Sequence, residues 1–410
     1  MEDIFDKLQA ITGITKYSVS EVITPKWVVS DMVDLIEETD KDIFCPDAKF
    51  LDPAVKSGRF LVELYNRLMG SELMIQAFPN QQDRQEHILR NQLYGVATSA
   101  TAATIVRKQL YDNPKITGNI IYTAEKVTTE MIQGAFSIMN FDVVIGNPPY
   151  NKGMDIDFIN MGHNLSEKYC AMIVPAKWQT AEADRRIMSS MTYGEFRKQL
   201  VPCMKDIVFY IDTQDIFDIQ LPSGITYFLM EKEPQNTVKI TNIFGKNKKL
   251  NSVEVRKTWC TLSNLGNDLI SYISAQPLFL SMPLSNNKQY VCKVCTLLSN
   301  KRIWDVKGKT VYNCQTQVCK KDDIGEYLNV ASFDTKEEAE SCKSWLELKA
   351  NRFLMLLGDT EGVTHNSYRF VPAPPNGKFD RLFTDNDFYD YFKIPPSYID
   401  TIEDVIKGRK

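Results

Sequence analysis

Phe141-Asp142-Val143-Val144-Ile145-Gly146-Asn147-Pro148-Pro149-Tyr150 is the stretch on which the reading of this chain turns. The first six residues are a mostly apolar run of strand length, ending in a glycine, and two prolines follow Asn147. A buried strand feeding a stiff loop is predicted, because proline fixes φ, lacks an N–H donor and steers its predecessor into extended backbone. Such a loop presents Asn147 and Tyr150 with little conformational freedom.

The same pattern recurs on both sides of it. Phe50-Leu51 runs into Asp52-Pro53, and Gln92-Leu93-Tyr94-Gly95-Val96 into Ala97-Thr98-Ser99. Ile120-Ile121-Tyr122 runs into Thr123-Ala124-Glu125, and Tyr169-Cys170-Ala171-Met172-Ile173-Val174 into Pro175. Short apolar strands alternating with helical stretches across residues 1–245 predict an α/β domain with a mostly parallel sheet. Ligands of open α/β sheets bind outside the carboxyl ends of the strands, so these loops are where chemistry is expected.

The chain has 410 residues, 43% of them apolar and 24% charged, a balance that predicts a globular protein of two or three domains. No stretch approaches the apolar length of a membrane span, so no membrane is expected. The segment Met1-Glu2-Asp3-Ile4-Phe5-Asp6-Lys7 lacks the basic-then-apolar order of a secretory signal, and a cytoplasmic location is expected. Nine scattered cysteines predict reduced thiols rather than a disulfide framework. The net charge of −4 argues against indiscriminate coating of nucleic acid, but it is unevenly spread. Between Lys246 and Val330, 13 Lys or Arg stand against 6 Asp or Glu, a local excess of +7. That excess suits either a solvated surface or contact with phosphates.

From about Ser332 a helix is predicted, capped by Thr335, with Glu337 and Glu338 in its first turn and Trp345, Leu346, Leu348 and Phe353 as apolar positions. Pro372, Pro374, Pro375, Asn376 and Gly377 form a turn-rich link to a final helix, whose Phe388, Tyr389, Tyr391 and Phe392 are expected to be core. Cys292, Cys295, Cys314 and Cys319 have a spacing that invites structural zinc. The residues around Cys292 also read as an ordinary strand with free buried thiols, and no metal is assigned. His87, His163 and His365 fall in no ligand or nucleophile pattern.

Phe141 to Tyr150 resembles the catalytic motif of N6-adenine DNA methyltransferases. Val22-Ile23-Thr24-Pro25-Lys26-Trp27-Val28-Val29 looks like the SAM-binding motif that precedes it in restriction-modification members, and Leu221 to Lys232 resembles the strand closing their catalytic domain. The segment Ser367 to Pro372 is similar to closing segments of larger members. SAM motifs first, catalytic loop next and recognition region last is similar to the gamma arrangement of the family. The resemblance implies a Rossmann-like SAM-dependent methyltransferase domain over residues 1–245, followed by a mixed α+β recognition region. Residues 246–331 would be its basic target-recognition part and 332–410 its helical completion.

It also implies roles. Asn147, Pro148, Pro149 and Tyr150 would form the catalytic loop. The Asn147 side-chain oxygen and the Pro148 carbonyl would accept the adenine amino hydrogens, while Tyr150 would stack on a base flipped out of duplex DNA. Thr24 and Pro25 would touch SAM. Asp52-Pro53-Ala54-Val55-Lys56-Ser57-Gly58-Arg59-Phe60-Leu61 resembles the family's small-residue loop, giving Asp52, Pro53, Ala54, Gly58 and Phe60 to the cofactor, with Asp52 pairing to its ammonium. Lys56 departs from the family's glycine; a lysine there does not help a cationic cofactor unless its side chain points outward, which its helix-entry position permits. Ala97 replaces an acidic ribose ligand, leaving Thr98 as a weaker substitute. Glu125 would accept from the cofactor's adenine, with Phe141 and Pro149 as apolar walls. Lys246, Lys248, Lys249, Lys301 and Arg302 would meet DNA phosphates. No nuclease or helicase motif is evident, so a cognate restriction endonuclease or other defence subunit is an expected partner. A methyltransferase acting on RNA or on a protein glutamine, and a non-catalytic DNA-binding subunit, remain open alternatives.

Overall fold

The computed structural model describes residues 16–18, 21–150, 153–179, 188–210, 213–217, 221, 223–235, 237–243, 249–250, 254–256, 269, 272–273, 288–294, 316–323, 328–358, 368 and 370–406. Two short antiparallel strands, β1 (Lys16–Ser18) and β2 (Glu21–Val22), precede helix α1 (Lys26–Thr39). Alternation then sets in: β3 (Phe50–Val55), α2 (Arg59–Gly70), α3 (Glu72–Ala77), α4 (Gln81–Asn91), β4 (Leu93–Ala97), α5 (Ala100–Tyr111) and β5 (Ile120–Tyr122). It continues through α6 (Thr129–Phe136), β6 (Phe141–Gly146), α7 (Met154–Leu165), β7 (Ser166–Pro175), α8 (Tyr193–Gln199), β8 (Met204–Tyr210), β9 (Ile225–Glu231), β10 (Thr237–Ile243), β11 (Lys249–Leu250) and β12 (Glu254–Arg256).

The five apolar runs read from the sequence are β3 to β7. They lie in a 10-stranded sheet of order β11-β10-β8-β9-β7-β6-β3-β4-β5, with β12 also paired to β10. Neighbours from β7 to β5 are parallel. Strand β9 lies antiparallel between β7 and β8, while β8 and β10 run parallel. The segment expected to close the catalytic domain therefore supplies an interior strand.

Both faces of this sheet are covered, which is why its strands read as nearly continuous apolar runs rather than alternating ones. Phe50, Val143, Ile145 and Ile173 belong to one core with Val29, Val33 and Ile36 of α1, Leu61 and Leu64 of α2, and Val106 of α5. Leu51, Val144, Met172 and Val174 belong to a second, with Ile156 and Ile159 of α7 and Phe196 of α8. In β6, residues 143, 144 and 145 thus alternate between two dry layers. The sheet is an open α/β one, as expected.

The carboxyl-terminal part has an antiparallel sheet of order β14-β13-β15, built from β13 (Tyr290–Val294), β14 (Thr316–Lys320) and β15 (Leu328–Phe333). Helices α9 (Lys336–Leu346), α10 (Lys349–Gly358), α11 (Asp385–Tyr391) and α12 (Pro396–Val405) follow. Thr335 caps α9 in a reciprocal capping box with Glu338. Trp345 packs against Phe383, Phe388 and Phe392, so most of the final aromatics are core, while Tyr391 is exposed. Cys292 lies buried in β13 and Cys319 half-buried in β14, whereas Cys295, Cys314 and His365 lie outside the described residues. Among the described residues, no helix is long and apolar enough to cross a membrane.

Candidate functional site

From β3 the chain order steps one way to β4 and β5 and the other way to β6 and β7, so a topological switch point lies between β3 and β6. Crevices outside strand ends at such points are where open α/β sheets bind ligands. Asp52 of β3 and Asn147, just after β6, meet there. Pro53 has no N–H for the ladder, and the β3–β4 register shifts between Asp52 and Val55. The Asp52 carboxylate accepts from the Ala54 N–H at 3.0 Å. Burial pushes its pKa up to about 7, against the opposing pull of that N–H and of the Lys56 charge. Gly146 makes room for it: a Cβ at that position would stand 2.8 Å from Asp52 Oδ1. That is closer than atoms pack.

Asn147 is 3% exposed. Its Nδ2 donates to the Val22 carbonyl at 3.1 Å and to Thr24 Oγ1 at 3.0 Å. A carbonyl only accepts, so Nδ2 has to face Val22 and the amide orientation is fixed. The other end of the amide, Oδ1, is buried without a hydrogen-bond partner. An unsatisfied buried acceptor costs roughly 1–3 kcal/mol, and one way for a native protein to carry that cost is to keep the group for a catalytic role.

The segment Val22–Thr24 is sewn to the sheet by side chains distant in sequence. Besides Asn147, Arg59 donates from Nη1 to the Thr24 carbonyl at 2.9 Å, and Lys56 Nζ reaches the Val22 carbonyl at 3.5 Å. Pro25 accepts at its carbonyl from the Val28 and Val29 N–H groups as α1 begins. The loop that brings Lys56 and Arg59 here turns at Gly58, whose φ of +79° is left-handed and whose Cβ would meet Val106 Cγ2 at 2.8 Å. Only glycine suits both conditions.

Lys56 does not take the outward course that its position permits. Its side chain turns inward, with Nζ 5.7 Å from the centroid of the Tyr150 ring. Carbonyl, carboxylate and aromatic face all attract an ammonium, and that attraction overrides the freedom of a helix-entry position. Tyr150 is half-buried and donates its hydroxyl to the Ile173 carbonyl at 3.3 Å. Burial, aided by the nearby Asp155, raises its phenol well above the usual value, so it stays a neutral donor. Pro148 is buried and Pro149 half-buried.

Two hollows divide the remaining expected residues. Thr24, Asp52, Ala54, Gly58, Phe60 and Asn147 line a tight one of about 10 Å³, together with Lys56, Ser57 and Arg59. Thr98 and Glu125 line a larger one of about 570 Å³, walled by the start of α6 and by Met154, Phe158 and Met161 of α7. Phe141 belongs to neither. It begins β6, at the opposite end from Asn147, and packs at 5.3 Å against Tyr94 and 6.3 Å against Phe136 in the core, so it is no wall for a ligand. Lys246, Lys248, Lys301 and Arg302 lie outside the described residues, and Lys249 is described only as backbone of β11. The sequence reading missed the Val22 carbonyl, the clamp from Arg59 and the clearance at Gly146. Two basic residues in a loop otherwise small was the available signal for the clamp.

Residues 4–182 match the family model of the N-6 DNA methylases, a span that contains both clamp residues, Asp52 and Asn147. An uncharacterized adenine-specific methylase of Mycoplasma pneumoniae is 24% identical, over 60% of this chain and 75% of that protein. Among solved structures, a modification subunit assigned to a type I restriction enzyme from Vibrio vulnificus YJ016 has a TM-score of 0.41 and 15% identity, covering 81% of this chain. The M protein of the type I restriction enzyme EcoKI has a TM-score of 0.41 and 14% identity over 56% of this chain. The chain spans 62% of the first of these and 49% of the second. The family match reaches both halves of the site, and over that span the chain is similar to the N-6 DNA methylases and to an adenine-specific relative.

Proposed function

We propose that this chain transfers a methyl group from SAM to the exocyclic N6 of adenine in duplex DNA. The observation that carries the reading is the Asn147 amide, held by its nitrogen and left with an open acceptor at Oδ1. An adenine amino group is a weak nucleophile because its lone pair is delocalised into the ring. Asn147 Oδ1 and the Pro148 carbonyl accept its two hydrogens, draw the nitrogen towards tetrahedral geometry and leave the lone pair free to react. Because the acceptor is fixed before the base arrives, no reorganisation is needed at the moment of reaction. Tyr150 supplies an aromatic face for the base taken out of the stack.

The residues present fit the cofactor. Asp52 supplies a buried carboxylate for the methionyl ammonium, Gly146 keeps the space in front of it clear, and Thr98 and Glu125 offer polar atoms for the nucleoside in the larger hollow. When bound, SAM supplies an electrophilic methyl group on a sulfonium. Sequence choice and phosphate contact are assigned to the basic region 246–331, with Lys246, Lys248, Lys249, Lys301 and Arg302 as phosphate ligands, and residues 332–410 complete that part. Any cleavage of unmodified DNA falls to a separate endonuclease or defence subunit.

Incubation with methyl-labelled SAM and unmethylated genomic DNA, followed by base mapping, tests the reading. N6-methyladenine confined to one sequence motif is the expected result. Retained DNA binding without transfer would overturn catalysis and favour a non-catalytic DNA-binding subunit.

A further inference from the structure

We propose that Lys56 is a cationic latch that closes the tight hollow and that the cofactor must displace, which makes this residue a determinant of cofactor affinity. The inference rests on the SAM reading given above. Three groups that attract positive charge converge on one ammonium: the Val22 carbonyl oxygen at 3.5 Å, the Tyr150 ring at 5.7 Å and the buried Asp52 carboxyl, whose acidity the Lys56 charge strengthens. These are groups that would meet a cationic ligand at this switch point. Lys56 therefore holds the site as an internal stand-in for that charge.

Space leads to the same conclusion. The hollow beside Asp52 and Asn147 holds about 10 Å³, no more than about one water molecule needs, and Lys56 is part of its wall. An amino-acid moiety cannot enter until the wall moves. Asp52 and Ala54 lie in β3, Asn147 is pinned by two hydrogen bonds from Nδ2, and Gly58 is fixed by its left-handed turn against Val106. Lys56, half-buried on a long unbranched and flexible stem, is a wall element that can swing by rotating its own side chain.

The latch also reaches the catalytic loop. Val22 offers one carbonyl to both Lys56 Nζ and Asn147 Nδ2, and the Tyr150 face under Lys56 is one that a stacked base would use. Release of Lys56 opens the methionyl side and uncovers that face in one motion. Cofactor entry then prepares the base-binding side of the site.

Isothermal calorimetry with SAM, and separately with S-adenosylhomocysteine, on the full chain and on Lys56→Ala, Lys56→Met and Lys56→Arg decides the matter, with thermal melting as the check on folding. Lys56→Ala is expected to bind both ligands about tenfold more tightly, on the scale of losing one cation–aromatic contact and one charged hydrogen bond. Lys56→Met keeps the length without the charge and is expected to follow Lys56→Ala, while Lys56→Arg stays near the parent chain. Unchanged or weaker binding by folded Lys56→Ala overturns the latch while leaving the SAM reading intact. If Lys56→Met behaves like the parent chain, bulk alone closes the hollow and the cationic latch is wrong. Binding of neither ligand by any of the proteins overturns the cofactor reading and the latch with it.

Discussion

Asn147→Ala separates stability from catalysis in a way that the hydrogen bonds allow to be worked out. The substitution removes two donations, to Val22 and Thr24, each contributing about 0.5–1.5 kcal/mol net. It also removes Oδ1, whose burial without a partner costs roughly 1–3 kcal/mol. The terms oppose each other and are of similar size. Unfolding free energy should therefore stay within about 2 kcal/mol of the parent value, where one or two kcal/mol is itself the ordinary effect of a single substitution. The rate of methyl transfer should fall at least about 10²- to 10³-fold, the scale set by deleting one preorganised hydrogen bond to a transition state. Urea denaturation gives the first quantity, and single-turnover transfer of labelled methyl groups gives the second. A variant that loses several kcal/mol of stability would make Asn147 a structural residue, and one that folds and keeps its transfer rate would refute its assigned role.

Two further outcomes follow from the Asp52–Gly146 contact. Because burial raises the Asp52 pKa from 3.8 to about 7, its stabilising contribution is present below 3.8 and is lost as pH rises through about 7, whereas the ammonium of SAM needs the ionised form. SAM affinity should thus rise about tenfold between pH 6 and pH 8 as the carboxyl ionises, and calorimetry showing a flat profile would exclude Asp52 as the ammonium ligand. Gly146→Ala places a methyl group 2.8 Å from Asp52 Oδ1 and should cost about 1–3 kcal/mol in thermal or urea unfolding, with weaker SAM binding in the variant that remains folded.

The sheet was legible because its strands are buried on both faces and so announce themselves as apolar runs: β3 to β7 fall where Phe50, Leu93, Ile120, Phe141 and Tyr169 predicted them. The cap of α9 was legible for a local reason, since Thr335 and Glu338 are three residues apart and bond to each other. Position within the sheet was not. Nothing in Ile225–Glu231 itself says that it runs antiparallel between β7 and β8, because that pairing depends on where the flanking segments go. Asn147 and Asp52 could be chosen from loop chemistry and Thr24 from the family resemblance, but the direction of Lys56 could not be. Its partners include a backbone carbonyl 34 residues earlier and a ring in another loop, and neither leaves a mark in the spacing around it. Phe141 and Asn147 are close in sequence, yet a strand carries its two ends apart at about 3.3 Å per residue.

The clearance between Gly146 and Asp52 also constrains how this chain can change over time. A side chain at position 146 crowds the carboxylate at position 52 for as long as that carboxylate is there, and the missing Cβ is worth keeping only while the carboxylate has work to do. The two positions form an ordered pair of steps, in which the first loss removes the reason for preserving the other. A descendant carrying a bulky residue at 146 and no acid at 52 would have left this chemistry behind, and restoring either residue alone would not bring it back.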